Sequence, residues 1–241
     1  MPAGSIDLIV TSPPYNLDIK YGVYKDNSPR EDYLMWIDDV FSAAKHCLKD
    51  DGQLFLNMGY SNVDPWVGMD VAQVVRKHFV LQNNFTWVKS VYVDGKTSGH
   101  FKPINSKRFA NPTWEHLFHF TKNGVVEVNK LAVGVPYEYK DNIERFEGNI
   151  HGDVRCRGNT WYVPYDTISN RKKHRGSHPA TFPVALAEMC IKFSGVNGIV
   201  LDPFMGSGTT AVAAKKLGLN YIGFDVDADY IAFAEDRIND V

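Results

Sequence analysis

The chain has 241 residues, 44% hydrophobic and 22% charged, with 26 Lys and Arg against 28 Asp and Glu and a net charge of -2. That balance excludes a disordered chain and a wholly basic nucleic-acid binder, while leaving room for a local basic face. The three cysteines, Cys47, Cys156 and Cys190, are far apart and form no CxxC, so no zinc site, disulfide framework or other metal is expected, and a reducing compartment fits.

The first residues, Met1-Pro2-Ala3-Gly4-Ser5, show no basic-then-apolar pattern, and no apolar run is long enough to cross a bilayer. A cytoplasmic protein without membrane contact is therefore expected. Ile6-Asp7-Leu8-Ile9-Val10 reads as a buried strand. Thr11-Ser12-Pro13-Pro14-Tyr15-Asn16 follows it. Two prolines cannot continue a sheet, so the strand stops and an aromatic ring is held just beyond its end. Ligands of open α/β sheets bind outside the carboxyl ends of the strands. The hydroxyl of Ser12, the carbonyls of Pro13 and Pro14 and the flat face of Tyr15 suit a planar ring that bears an amine.

Residues 17–27 lack a period and read as a loop over that site. Ser28-Pro29-Arg30-Glu31 predicts a helix start with Ser28 as cap and Glu31 closing a capping box. Apolar residues from Tyr33 to Leu48 then recur at helical spacing, up to a stop at Asp51-Gly52. Residues 53–58 read as a strand, 70–78 as a helix and 79–89 as a strand containing Trp87. Residues 91–112 read as a long loop. A strand over 114–121 is followed by a turn at Asn123-Gly124 and a further strand over 125–128. Residues 130–176 are the least regular part. They mix Tyr137, Tyr139, Trp161, Tyr162 and Tyr165 with Arg155, Arg157, Arg171, Lys172, Lys173 and Arg175, which fits a surface for phosphates and bases.

Regular elements resume with a helix over 183–193, a strand over 198–202, a helix over 209–217, a strand over 220–225 and a helix over 227–240. The segment Asp202-Pro203-Phe204-Met205-Gly206-Ser207-Gly208-Thr209-Thr210 is strand, glycine loop, helix, which brings backbone close to a ligand at a helix N-terminus. It is not a P-loop, since no Gly-Lys-Ser/Thr follows. Asp225 ends the next strand, where nucleotide-type sites place an acid on ribose hydroxyls.

The Asp202 to Thr210 segment resembles the S-adenosylmethionine motif of the amino-methyltransferases that act on DNA, and Ser12-Pro13-Pro14-Tyr15 resembles their catalytic motif. Catalytic motif first and cofactor motif last is the order of the β group, which includes N4-cytosine and N6-adenine enzymes. His178-Pro179-Ala180-Thr181-Phe182-Pro183 resembles the element just ahead of the cofactor strand. The resemblance implies an α/β, Rossmann-like methyltransferase fold in one domain over 1–241. Its mostly parallel seven-stranded sheet would contain a reversed hairpin and carry helices on both faces, with 130–176 as the target-recognition insertion. Family members usually carry a further strand ahead of the catalytic one, and the resemblance implies that the sequence starts near the middle of that lead-in.

The resemblance also implies roles. Asp202, Pro203, Phe204, Gly206, Ser207, Gly208, Thr209, Asp225, His178 and Pro179 would form the S-adenosyl-L-methionine site. Ser12, Pro13, Pro14 and Tyr15 would hold a base flipped from duplex DNA. Arg155, Arg157, Arg171, Lys172, Lys173 and Arg175 would contact DNA. Carbon-5 methylation of cytosine needs a cysteine nucleophile, usually after a proline, and no cysteine here follows one. Serine at the head of the catalytic motif is seen mostly with N4-cytosine enzymes, so N4-cytosine is the expected target. Adenine N6, RNA and a relative that only binds stay open, as do a homodimer and a cognate restriction endonuclease.

Overall fold

The computed structural model describes residues 1–99, 104–141, 143, 152–165 and 181–241. Nine strands and five helices of eight or more residues are seen among them. β1 (Ile6–Thr11), α1 (Arg30–Cys47), β2 (Leu48–Met58), α2 (Val67–Val75) and β3 (Val80–Val88) come first. β4 (Ser90–Val93), β5 (Lys96–Gly99), β6 (Trp114–Thr121) and β7 (Thr160–Tyr162) follow. The last part holds α3 (Val184–Ser194), β8 (Ile199–Asp202), α4 (Thr209–Lys216), β9 (Asn220–Gly223) and α5 (Ala228–Asn239).

Seven strands form one sheet in the order β7-β3-β6-β2-β1-β8-β9. All run parallel except β6, which is antiparallel to both β2 and β3. The expected mostly parallel sheet is present, and its reversal is this single strand. Side chains alternate across the pleat. Leu54, Leu56 and Met58 face α1 and α2, in a core with Ile37, Phe41, Val71 and Phe118. Phe55 faces the other way, in a core with Leu8, Trp87, Trp161, Leu186 and Cys190. β1 sits between these layers and is almost wholly buried, as its run of β-branched residues requires.

Several local expectations give way to the structure. Ser28 makes no side-chain cap to α1, whose N-cap residue is Pro29. Asn16 takes over instead: its Oδ1 accepts from Ser28 N and its Nδ2 donates to Ser28 O, both at 2.8 Å. Asp51-Gly52 does not end α1. It lies within β2, in the stretch where the register with β1 jumps from Ile6↔Leu48 to Leu8↔Gln53. Residues 90–99 are not loop but the β4–β5 hairpin, turned by Asp94 and Gly95 at φ 50 and 76. Residues 125–128 form no strand, because the Gln82 side chain takes both the N–H and the carbonyl of Val126. Within 130–176, Thr160–Tyr162 forms the parallel edge strand β7.

β1 is the point where the chain changes direction across the sheet. From it the order runs to β2 through α1 on one side. On the other side β8 runs to β9 through α4. A crevice at the carboxyl ends of β1 and β8 follows from that crossing.

Candidate active site

Each functional side chain in this crevice is placed by a strand end. Ser12, Pro13, Pro14 and Tyr15 leave the end of β1, and Asn57 is the penultimate residue of β2. Because β6 runs backwards, its second residue, Glu115, reaches the same rim. Pro203 and Phe204 follow β8, while Phe224, Asp225 and Val226 follow β9. Together with Trp36, Trp87 and Tyr230 they line one cavity of about 350 Å³.

At its catalytic end, Ser12 Oγ lies 2.8 Å from Tyr15 Oη. Asn57 Nδ2 donates to Tyr15 Oη and to Glu115 Oε2, each at 2.7 Å. Tyr15 Oη donates to Glu115 Oε2 at 3.2 Å, and Lys89 Nζ closes the chain on Glu115 Oε1 at 2.9 Å. Burial, reinforced by the Glu115 carboxylate, pushes the Tyr15 hydroxyl well above its usual range, so it stays protonated. Its ring is fixed from behind, since a Cβ on Gly59 would come within 2.5 Å of Tyr15 Cε2. Asn57 Oδ1 is buried with no hydrogen-bond partner among the described residues. Tyr33 Oη donates to the Pro14 carbonyl at 2.8 Å, which fixes the second proline. Asn57, Glu115 and Lys89 do not stand out in the sequence: each lies in or beside an ordinary strand, and only the pairing of β2 with reversed β6 brings them to Ser12.

At the other end, Asp202 is tied inward and is not among the residues lining the cavity. Thr11 Oγ1 donates to Asp202 Oδ1 at 2.6 Å, and Phe204 N donates to the same oxygen at 3.0 Å. Burial raises the Asp202 carboxyl to about 6. Gly206, Ser207, Gly208 and Thr209 are likewise buried beneath the cavity. Gly206 and Gly208 take φ of 49 and 75, and a Cβ on Gly208 would meet Ala234 Cβ at 2.8 Å. Those glycines therefore let the loop close against α5. Asp225 does line the cavity. Its Oδ2 accepts from Gly206 N and its Oδ1 from Asp227 N, both at 2.9 Å.

A lid covers this half. Asp26 is buried, and its carboxylate accepts from the backbone N–H groups of Asn16, Leu17 and Ile19. Tyr24 stacks on Trp36, and Trp36 meets Phe204 edge-on at 5.3 Å. Aromatic faces beside the Asp225 and Asp227 carboxylates fit a ligand with an adenine ring, ribose hydroxyls and positive charge.

A profile of the DNA methylase family, whose members methylate N6 or N4 amines, matches residues 6–236. The chain belongs to that family. It is a DNA methyltransferase dependent on S-adenosylmethionine. The type II methyltransferase M.HpaI of Haemophilus parainfluenzae is 30% identical over 237 residues, covering 98% of this chain and 68% of that protein. M1.MboII of Moraxella bovis is 31% identical, over 98% of this chain and 90% of its own length. The fold matches the PvuII cytosine-N4-specific DNA methyltransferase with a TM-score of 0.74 and 20% identity, over 98% of this chain and 80% of that one. TTHA0409 of Thermus thermophilus, solved in complex with S-adenosyl-L-methionine, matches at TM-score 0.65 and 25% identity, over 100% of this chain and 88% of that one.

The expected DNA contacts divide. Arg155 is exposed, whereas Arg157 Nε donates to the Val133 carbonyl at 2.9 Å. Arg171, Lys172, Lys173, Arg175, His178 and Pro179 lie outside the described residues. No helix is long and apolar enough to cross a membrane, and no metal-binding cluster occurs, among the described residues.

Proposed function

We propose that this methyltransferase acts on the exocyclic N4 amine of a cytosine flipped out of duplex DNA. The observation that carries the reading is Ser12 itself. A hydroxyl, rather than a carboxylate or carboxamide, stands at the end of β1, 2.8 Å from Tyr15 Oη and facing the cavity. The similarity in fold to a cytosine-N4-specific enzyme supports the same target.

The amine lone pair is delocalised into the ring, so it attacks poorly until it is oriented. Ser12 Oγ and the Pro13 carbonyl accept the two amine hydrogens and aim the lone pair across the cavity, while the fixed Tyr15 ring stacks on the base. The Pro14 carbonyl accepts from Tyr33 Oη, so in this reading Pro14 holds the loop in place beneath the base. Phe204, Asp225 and Asp227, which line the cavity, would hold the cofactor, which when bound supplies an electrophilic methyl group on a positively charged sulfur. Asp202 and Gly206 act from below by fixing Phe204 and Asp225, while Ser207, Gly208 and Thr209 shape the loop that carries them. Attack needs no protein nucleophile, and none of the three cysteines lines the cavity. The type II names of the relatives support pairing with an endonuclease of the same site.

Transfer of labelled methyl from S-adenosylmethionine to mixed-sequence duplex DNA, read by nucleoside mass spectrometry, tests the assignment. N4-methylcytosine is the expected product. N6-methyladenine would overturn the choice of base, and an unlabelled duplex would overturn the function.

A further inference from the structure

The β4–β5 hairpin follows directly on β3, whose Trp87 lines the cavity, and its residues 91–99 are exposed. Its first residue follows Lys89, whose ammonium reaches Glu115, and Trp87 two positions earlier lines the cavity wall. The base of the hairpin is rigid. Lys89 N and Ser90 N both donate to the Thr113 carbonyl, and Gly99 at φ 88 packs so closely that a Cβ would come within 2.3 Å of Lys89 O. Ser98 Oγ lies 2.6 Å from Tyr162 Oη, which ties the hairpin to β7.

Beyond that base every residue is exposed. Tyr92 is 71% and Val93 54% exposed, far more than a hairpin that must bury its own apolar surface. A lone two-stranded hairpin is marginal in water. This one keeps its shape through its anchored base and the Asp94-Gly95 turn, whose positive φ values match the strand twist.

Resting on the DNA reading above, we propose that this hairpin is a groove-reading ribbon that enters the major groove of the duplex beside the flipped base. The dimensions agree. Four residues per strand at about 3.4 Å each give a reach of about 14 Å, against a major groove about 8.5 Å deep that admits a two-stranded ribbon. The chemistry agrees as well. Tyr92 and Thr97 are paired across one face, Val93 and Lys96 on the other, so the ribbon offers apolar, hydroxyl and cationic contacts to base edges and phosphates. Residues 90–113 carry Lys96, Lys107 and Arg108 against a single acid, Asp94, a balance that suits a polyanion. The ribbon also springs from β3, whose Trp87 lines the cavity, through Lys89, which holds the cavity-lining Glu115, so a duplex held by the ribbon would bring its target toward Ser12.

The test compares wild type with the Tyr92→Ala/Lys96→Ala double variant and with Lys96→Ala alone. Each is assayed on mixed-sequence duplex DNA with sequencing of the modified sites, and on a short single strand bearing the same target. The expected result is a tenfold or greater fall in kcat/KM on duplex for the double variant, with relaxed site choice. Its single-strand rate and S-adenosylmethionine Kd should stay within twofold of wild type. Lys96→Ala alone should lower the slope of log K against log salt by about one. Duplex kinetics and site choice unchanged in both variants, with an active wild type, would overturn the ribbon alone. Altered sedimentation of the variants with unchanged duplex kinetics would also overturn it, in favour of a contact between copies of the chain. A wild type inert on all DNA would overturn the function together with the ribbon.

Discussion

Thr11 Oγ1 donates to Asp202 Oδ1 at 2.6 Å and so joins the last residue of β1 to the last residue of β8, across 191 positions of sequence. The hydrogen bond ties the catalytic strand to the cofactor strand beneath the cavity. It also places a carboxylate in the core, where burial raises its pKa from 3.8 to about 6. His119 titrates with the opposite sign. It stacks on Phe55 at 4.5 Å between Gln53 and Asn83, and burial lowers its pKa from 6.5 to about 4.

These two groups set a pH prediction. Between about 4 and 6 folded Asp202 binds more proton than the unfolded chain, so its contribution to stability falls as pH rises. Between about 4 and 6.5 folded His119 binds less, so its contribution grows as pH rises. At about 1.4 kcal/mol per pKa unit each amounts to about 3 kcal/mol, and in the wild type they offset. Asp202→Asn, which keeps an acceptor for Thr11, should leave a protein whose stability climbs steeply from pH 4 to 6.5. His119→Gln should give one whose stability declines over the same range. Urea unfolding of both at pH 4.5 and 8 checks this, and curves parallel to wild type would refute it.

The polar chain at the cavity floor separates positioning of the base from support of the fold. Ser12→Ala removes the hydroxyl that faces the base and should lower kcat by about 100-fold, the scale for one preorganised hydrogen-bonding group, with the cofactor Kd unchanged. Glu115→Gln replaces the carboxylate that Lys89 and Asn57 both contact. It should lower stability by about 1–3 kcal/mol and kcat less than Ser12→Ala does. Single-turnover rates with cofactor titrations distinguish the two. A Ser12→Ala enzyme with wild-type kcat would remove Ser12 from the site.

Both strands that frame the cavity are legible because their motifs are contiguous: Ser12 to Tyr15 after one β-branched run, Asp202 to Thr210 after another. Neighbours in space but not in sequence are not. Glu115 is one polar residue in an otherwise alternating strand, and only the reversal of β6 lifts it to the rim. The hairpin escapes a sequence reading because four-residue strands carry too little periodicity, although Asp94-Gly95 is a good turn signal. The reading of Ser28 as a cap fails for a different reason. Asn16 competes for the same backbone groups from a turn at φ 58, a tertiary contact that local spacing does not report.

Arg155 and Arg157 are two positions apart but should behave differently. Arg157 holds the Val133 carbonyl, so Arg157→Ala should lower Tm and leave the salt dependence of DNA binding near wild type. Arg155 is exposed, and among the described residues its guanidinium bonds the carbonyl of its neighbour Cys156 at 3.3 Å, so it can turn to meet phosphate. Arg155→Ala should reduce the salt slope by about one with Tm unchanged. Binding isotherms between 50 and 200 mM salt, roughly the range over which counterion release is measurable, check the pair. Equal slopes for both variants and wild type would exclude Arg155 from the interface.

Gly22 gives the sharpest test of the lid. Its N–H donates to Tyr230 Oη at 3.2 Å, and a Cβ there would lie 1.8 Å from Asp227 Oδ2. Asp227 cannot yield easily, because its Oδ1 caps α5 through Asp229 N at 2.9 Å. Gly22→Ala should therefore lift residues 17–27 off the cavity while the core remains intact. Tyr24 would leave Trp36, and the wall that Trp36 and Phe204 form would open to water. We expect the S-adenosylmethionine Kd to rise about tenfold, which is about 1.4 kcal/mol, with Tm of the cofactor-free protein within a degree or two. Titration calorimetry and thermal unfolding measure both. A Kd equal to wild type would mean that the lid makes no net contribution to holding the cofactor.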